Sequence, residues 1–107
     1  MSLIKTIIYQ TNTGKEPFTE WLLDLDKTTR AIIVTRLKRL SVGNFGDCKL
    51  LKQTSGVWEL RIDFGSGYRV YFGKEGSTIV LLLVGGDKKS QERDIKKAQE
   101  YWFIHKG

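Results

Sequence analysis

Alternating apolar and polar positions mark the middle of the chain as a pair of strands. Every second residue is apolar through 58–64, the pattern of a strand with one buried face. The Gly-Ser-Gly segment at 65–67 follows, and glycine readily adopts the positive φ angles that a tight reversal requires. The same alternation resumes at 68–72. The pattern therefore predicts an aromatic-rich β-hairpin.

Apolar residues at helical spacing predict three helices outside this hairpin. Pro17 suits the first turn of the first helix, Asp26 can cap a second helix over 27–41, and a third is expected over 91–103. Their apolar positions are Phe18, Trp21, Leu22 and Leu25, then Ile33, Leu37 and Leu40, then Ile95, Ala98 and Trp102. The first two helices form a helical hairpin with almost no linker.

The remaining segments complete an α+β fold. An Ile- and Thr-rich stretch over 3–11 predicts a first strand, and 44–56 is expected to be a loop. The apolar run 78–84, ended by Gly85 and Gly86, predicts a central strand covered on both faces. The predicted order is β-α-α-β-β-β-α, with a mostly antiparallel four-stranded sheet, an N-terminal helical hairpin and a C-terminal helix.

Length and composition predict one cytoplasmic domain with a polyanionic partner. The 107 residues suffice for a single core over 1–107, and the net charge of +6 favours nucleic acid, with an acidic protein as the alternative. A lone Cys48 precludes an intrachain disulfide and fits a reducing compartment. No signal peptide, membrane-spanning run, metal-ligand spacing or nucleotide loop is recognisable, so no membrane contact, metal or cofactor is expected.

The candidate chemistry is cationic and aromatic. RNA carries its own nucleophile, the 2′-hydroxyl, so an enzyme without a metal has to orient it, move protons and stabilise charge on the phosphorane. Arginine offers planar donors for phosphate, and a lysine crowded by cations can have a lowered pKa. A solvated cationic face is the ordinary alternative. The candidates are Lys49, Lys52, Arg61, Tyr68, Arg69, Tyr71, Lys88 and Lys89.

Nearly the whole chain resembles the RelE/ParE toxin superfamily. The resemblance rests on Trp-Glu-Leu-Arg-Ile at 58–62, Gly-Ser-Gly-Tyr-Arg-Val-Tyr-Phe at 65–72, Leu-Leu-Leu-Val-Gly-Gly-Asp-Lys-Lys-Ser-Gln at 81–91 and a final Ala-Gln-Glu-Tyr helix. The chain is most similar to the HigB-like "addiction module killer protein" branch of toxin–antitoxin systems. Such toxins bind a small antitoxin encoded beside them. RelE and HigB members cleave mRNA in the ribosomal A site, whereas ParE members inhibit DNA gyrase.

The resemblance also implies roles for individual residues. Arg69 matches the strand arginine that acts at the scissile phosphate, and Arg61 matches a catalytic strand lysine. Lys88 or Lys89 matches a loop with a second phosphate-binding arginine. A tyrosine found early in the last helix of some RelE proteins is replaced here by Arg-Asp-Ile at 93–95. His105 lies near the C-terminus, where a frayed tail is expected, with a catalytic role as the alternative.

The leading hypothesis is the toxin of a type II toxin–antitoxin system that cleaves mRNA on the ribosome without a metal. Catalytic roles are predicted for Arg61, Arg69 and Lys89. Substrate-binding roles fall to Lys49, Lys52, Tyr68, Tyr71 and Lys88. Arg36 and Arg39 on the second helix are predicted to bind the antitoxin, itself expected to be a small helix-turn-helix protein. The alternatives are a ParE-like gyrase inhibitor and a catalytically silent basic module that binds a protein.

Overall fold

The computed structural model describes residues 3–107 as one sheet with helices on both faces. Its elements are β1 (Lys5–Ile8), α1 (Pro17–Leu23), α2 (Lys27–Ser41), β2 (Cys48–Leu50), β3 (Trp58–Ile62), β4 (Tyr68–Glu75), β5 (Ile79–Asp87) and α3 (Gln91–Lys106). None of the helices within this range combines the length and the apolar character needed to cross a membrane.

The sheet has five strands in the order β1-β5-β4-β3-β2. β1 runs parallel to β5, and the other neighbours are antiparallel. The α+β class is confirmed, but the four-stranded description is wrong. The missed strand is β2, which lies in the segment expected to be a loop and pairs with β3 from Cys48 opposite Leu60. β1 is shorter than the predicted 3–11.

The helical hairpin covers one face of the sheet. α2 spans the predicted residues, and Asp26 caps it by accepting hydrogen bonds from the Thr29 amide at 3.2 Å and the Thr29 hydroxyl at 2.6 Å. These bonds, led by the one from the hydroxyl, lower the pKa of Asp26. The buried core on this face comprises Ile4, Phe18, Ile33, Leu40, Leu60, Ile62, Val70, Phe72, Val80 and Leu82.

The second core lies between the other face of the sheet and α3. Ala98 and Trp102 are buried there, and the Trp102 indole N–H donates to the Ser55 carbonyl at 3.1 Å. α3 continues beyond the predicted residue 103 and includes His105, whose imidazole pairs with the Glu75 carboxylate and stacks on Trp102. The expectation of a frayed tail at His105 is therefore wrong.

Two consecutive glycines let helices approach both faces of β5. Gly85 and Gly86 lie inside the strand and do not end it as predicted. A Cβ on Gly85 would collide with the Trp21 ring of α1, and one on Gly86 would collide with the Asp94 carboxylate of α3. The glycines are required by close packing here, because both positions are buried.

Candidate functional site

The β3–β4 hairpin brings two of the predicted arginines side by side. Arg61 on β3 is the direct partner of Arg69 on β4, so both side chains point to the face that carries α3. Both line a polar pocket of about 380 Å³ next to the hairpin turn, which we call the Arg69 pocket. Its lining residues are Asp47, Arg61, Ile62, Asp63, Gly65, Ser66, Gly67, Tyr68, Arg69 and Lys88.

Each arginine already has a carboxylate beside it. Arg61 Nε lies 3.6 Å from Asp47 Oδ2, in a pair whose side chains are 49% and 64% exposed. Arg69 Nε lies 3.3 Å from Glu59 Oε2, and these side chains are only 12% and 1% exposed. The positive potential of the site is therefore weaker than a count of its cations indicates.

Glu59 is the residue that sequence reasoning missed. It alternates with apolar neighbours on β3, which placed it on the solvent face, yet α3 covers it. Its Oε2 also accepts a hydrogen bond from Gln91 Nε2 at 3.0 Å. The only available signal was its position two residues before Arg61, on the strand face that also carries the cations. Removing Arg69 would leave the Glu59 carboxylate buried without its ion-pair partner.

The two hairpin tyrosines have different surroundings. Tyr68 is half-buried in the wall of the Arg69 pocket, where its ring can contact a ligand. Tyr71 lies fully buried opposite Glu59, so it offers no surface on which a base could stack. Burial, followed by the charge of Glu59, raises the pKa of Tyr71, and its hydroxyl stays protonated. Among the described residues this hydroxyl has no hydrogen bond of regular geometry.

The predicted lysines divide into those near the pocket and those away from it. Lys88 lines the Arg69 pocket, whereas Lys89 lines two neighbouring grooves at the start of α3. The connection is fixed by Asp87, whose Oδ1 accepts from the Lys89 amide at 2.9 Å. Lys49 and Lys52 are exposed on and just after β2 and do not line the pocket.

Arg36 and Arg39 lie on α2, and the Arg36 guanidinium approaches Gly46, the residue before Asp47 of the Arg69 pocket. They line a groove of about 590 Å³, which we call the α2 groove, together with Lys27, Thr28, Ala31, Ile32 and Thr35. Ala31 and Ile32 give the groove an apolar part, and cations stand at its rim. The α2 groove and the Arg69 pocket have no lining residue in common.

Metal chemistry has no evident ligand set in the part of the chain that the structure describes. No three His, Cys, Asp or Glu side chains within residues 3–107 are grouped so that they could hold an ion. Cys48 is half-buried, and burial raises the pKa of its thiol to about 11. The Arg69 pocket itself presents guanidinium, ammonium, carboxylate and phenol groups.

Residues 20–102 match the family model "Phage derived protein Gp49-like (DUF891)". A protein of Haemophilus influenzae (strain KW20 / Rd), described only as an uncharacterized protein, is 48% identical over 83 residues, which cover 77% of this chain and 82% of the relative. Among solved structures, a mutant of the Escherichia coli toxin RelE in the free state is similar with a TM-score of 0.66. That match has 13% identity and covers 92% of this chain and 95% of the other, so it establishes a common fold.

Proposed function

Since the chain belongs to the phage-derived Gp49-like family and has the fold of the toxin RelE, we propose that it is the toxin of a type II toxin–antitoxin system. We propose further that it cleaves mRNA on the ribosome. The observation that carries this proposal is the Arg69 pocket, where Arg61, Arg69 and Lys88 meet around a space open to solvent. Three cations in one polar pocket suit a phosphodiester.

In the proposed reaction the 2′-oxygen of the RNA attacks the adjacent phosphorus. The P–O bond to the 5′-oxygen breaks, which leaves a 2′,3′-cyclic phosphate on one product and a 5′-hydroxyl on the other. Arg69 is the best-placed group for the charge that develops on the phosphorane, because its position is fixed by a strand and not by a loop. Arg61 would exchange Asp47 for the phosphate, a change that costs little at an exposed ion pair.

Lysines contribute to binding and to proton transfer in this proposal. Lys88 stands at the pocket and Lys89 directly beyond it, so they can contact successive phosphates or relay the proton of the 2′-hydroxyl. Lys49 and Lys52 extend the positive surface along the sheet edge for the RNA strand. Tyr68 is the remaining aromatic surface on which a base can stack.

Arg69→Lys tests the proposal better than Arg69→Ala. Lysine keeps a positive charge for Glu59 but removes the planar guanidinium donors, so the fold is preserved and phosphorane stabilisation is lost. Single-turnover cleavage of mRNA on programmed ribosomes should slow by about 10²–10³-fold, the usual effect of losing one such donor. The matched control is Arg30→Lys on α2, on the other face of the sheet, which should cleave like the wild type.

Expression of the wild type should arrest growth and deplete translatable mRNA. A folded Arg69→Lys protein that cleaves at the wild-type rate would contradict the assigned site. Wild-type protein that leaves mRNA intact would contradict the nuclease mechanism.

Inhibition of DNA gyrase is the second candidate function. The observation in its favour is the pairing of Arg61 with Asp47 and of Arg69 with Glu59, which reduces the charge available for a phosphate. Growth arrest with intact mRNA and with accumulated gyrase cleavage products would establish this alternative. DNA supercoiling and mRNA integrity should therefore be followed in the same induced culture.

A further inference from the structure

Glu59 has an environment that stability alone does not explain. Its side chain is 1% exposed on β3, on the face of the sheet that α3 covers. Burying an ion pair carries a large desolvation penalty, and apolar residues of similar volume are often equally stable or more stable. The presence of a glutamate at this buried position therefore requires another reason, and the contacts of its carboxylate supply one.

We propose that Glu59 is a positioning residue that holds the Arg69 guanidinium at the wall of the Arg69 pocket, and that Gln91 in turn fixes Glu59. This inference rests on the proposed function of Arg69 in RNA cleavage. Glu59 itself does not line the pocket, so it acts through Arg69 and not on the substrate.

Two other elements bring a side chain to one oxygen atom of Glu59 on β3. Glu59 Oε2 lies 3.3 Å from Arg69 Nε on β4 and 3.0 Å from Gln91 Nε2, at the first residue of α3. The Arg69 Nε–H is buried and is not aligned as a hydrogen bond, so the contact with Glu59 is an ion pair. Because Glu59 attracts Arg69 at Nε, the terminal nitrogens remain available for a ligand in the pocket.

The charge of Glu59 opposes phosphate binding while its position favours catalysis. A carboxylate 3.3 Å from Arg69 weakens the attraction between Arg69 and any phosphate. The same carboxylate restricts the rotamers of a long, flexible side chain. Loss of the charge should therefore leave RNA binding equal or tighter but slow the chemical step. A residue that merely stabilised the fold would affect both in the same direction.

The first measurement is single-turnover cleavage by Glu59→Gln, with RNA binding followed separately. Cleavage should slow by roughly 10- to 100-fold, because a small misplacement of a reacting group has effects of that size. The affinity for RNA should not fall. In an Arg69→Lys background the same substitution should have no further effect, because the residue through which it acts is already altered. Equal slowing in both backgrounds, or wild-type cleavage by Glu59→Gln, would overturn the inference.

The matched control is Glu75→Gln. The Glu75 carboxylate also pairs with a side chain of α3, His105, but this pair is exposed at the other end of β4, and Glu75 does not line the Arg69 pocket. Its loss should leave cleavage and binding unchanged. Thermal unfolding of each variant, followed by circular dichroism, gives the folded fraction by which the rates are normalised.

A second measurement does not depend on activity. The Arg69 Nε–H resonance can be identified in a ¹⁵N spectrum by its absence from Arg69→Lys. In the wild type it should exchange slowly with solvent, and in Glu59→Gln it should move to the position of exposed arginines and exchange faster. An unchanged resonance in Glu59→Gln would refute the positioning role. If the wild type cleaves no RNA, the proposed function fails, and this resonance still decides whether Glu59 holds Arg69.

Discussion

Arg61 and Arg69 are partners across two strands, yet their carboxylates give them different properties. The pair of Arg61 with Asp47 is exposed, so solvent and salt screen it and a phosphate can replace Asp47. The pair of Arg69 with Glu59 is buried. If Arg69 left Glu59 for another partner, the Glu59 carboxylate would remain buried without a counter-charge. In the proposed reaction, Arg61 would therefore suit capture of the substrate, and Arg69 would suit fixed stabilisation of the charge on the phosphorane.

The reactivity of the Cys48 thiol tests how far this side chain is buried. Its thiol pKa is raised to about 11 by burial, and the nearby charges of Arg36 and Lys74 offset this only in part. The thiolate is the reactive form, so at pH 8 alkylation should be roughly 10²-fold slower than in the unfolded chain. The rate of iodoacetamide labelling, followed by mass spectrometry, should rise with pH until about 11.

The control for this prediction is the same chain in concentrated denaturant, where the labelling rate should depend on pH as it does for an exposed thiol. Rapid labelling of the folded protein at neutral pH would mean that the loop before β2 opens and exposes Cys48.

Residue identity alone predicted where the cations are but not which acids face them. Arg61, Arg69 and Tyr68 follow from strand alternation, because a hairpin fixes which side chains share a face. The burial of Glu59 and Tyr71 depends on α3 lying over that face, and this is a long-range contact that no local pattern contains. Lys89 was expected at the site, but only its neighbour Lys88 lines the pocket.

At the scale of elements, the packing of β5 requires that side chains of α1 and α3 approach its backbone closely. Gly85→Ala should destabilise the protein by about 1–3 kcal/mol, the usual range for overpacking, because the added methyl group meets the Trp21 ring of α1. The measurement is the midpoint of urea unfolding. A matched control is Gly76→Ala in the β4–β5 turn, which meets no neighbouring atom and tests only the cost of a positive φ.

The double variant Gly85→Ala, Trp21→Leu identifies the cause of any loss. If the ring collision is responsible, the alanine should cost less in the Trp21→Leu background than alone. An equal cost in both backgrounds would indicate another cause.

Helices and strands with a strong local sequence pattern were predicted correctly, whereas a strand with a weak pattern was missed. α2 was predicted at its observed ends because a cap and an apolar stripe agree. β2 was missed because it has three residues whose side chains are mostly exposed, so alternation gives no signal. The end of β5 was predicted too early, since Gly85 and Gly86 are typical breakers by local rules and are tolerated here for packing.

At the scale of the whole molecule, the two faces of the sheet suit two different partners. The Arg69 pocket lies on the α3 face, and the basic α2 groove lies on the other. In the proposed function, an acidic, amphipathic segment of the antitoxin would fit the α2 groove through its apolar part and its cationic rim. Such a segment would leave the lining of the Arg69 pocket uncovered, because the two sites have no residue in common.

Arg36→Ala, Arg39→Ala tests this surface with the cognate antitoxin. Two exposed ion pairs contribute about 0.2–1 kcal/mol each, so affinity should fall by about 2- to 30-fold and depend less on salt. Lys38→Ala is the matched control, because Lys38 is exposed on α2 but does not line the groove. Titration at several salt concentrations gives both quantities. Equal losses for Lys38→Ala and the double variant would place the interface elsewhere.

The parallel pairing of β1 with β5 determines when the sheet can be completed as the chain is synthesised. Lys5 pairs with Ile79, 74 residues further along the chain, so β1 has no partner until β5, the last of the described strands, has been made. Closing so long a loop is slow, and β1 with its exposed isoleucines should dock after the meander has formed. At about 5–20 residues per second, synthesis of the residues between the two strands takes several seconds, and β1 has no partner strand during that time. A partner that is present during synthesis would therefore meet an unfinished sheet before it meets the folded protein.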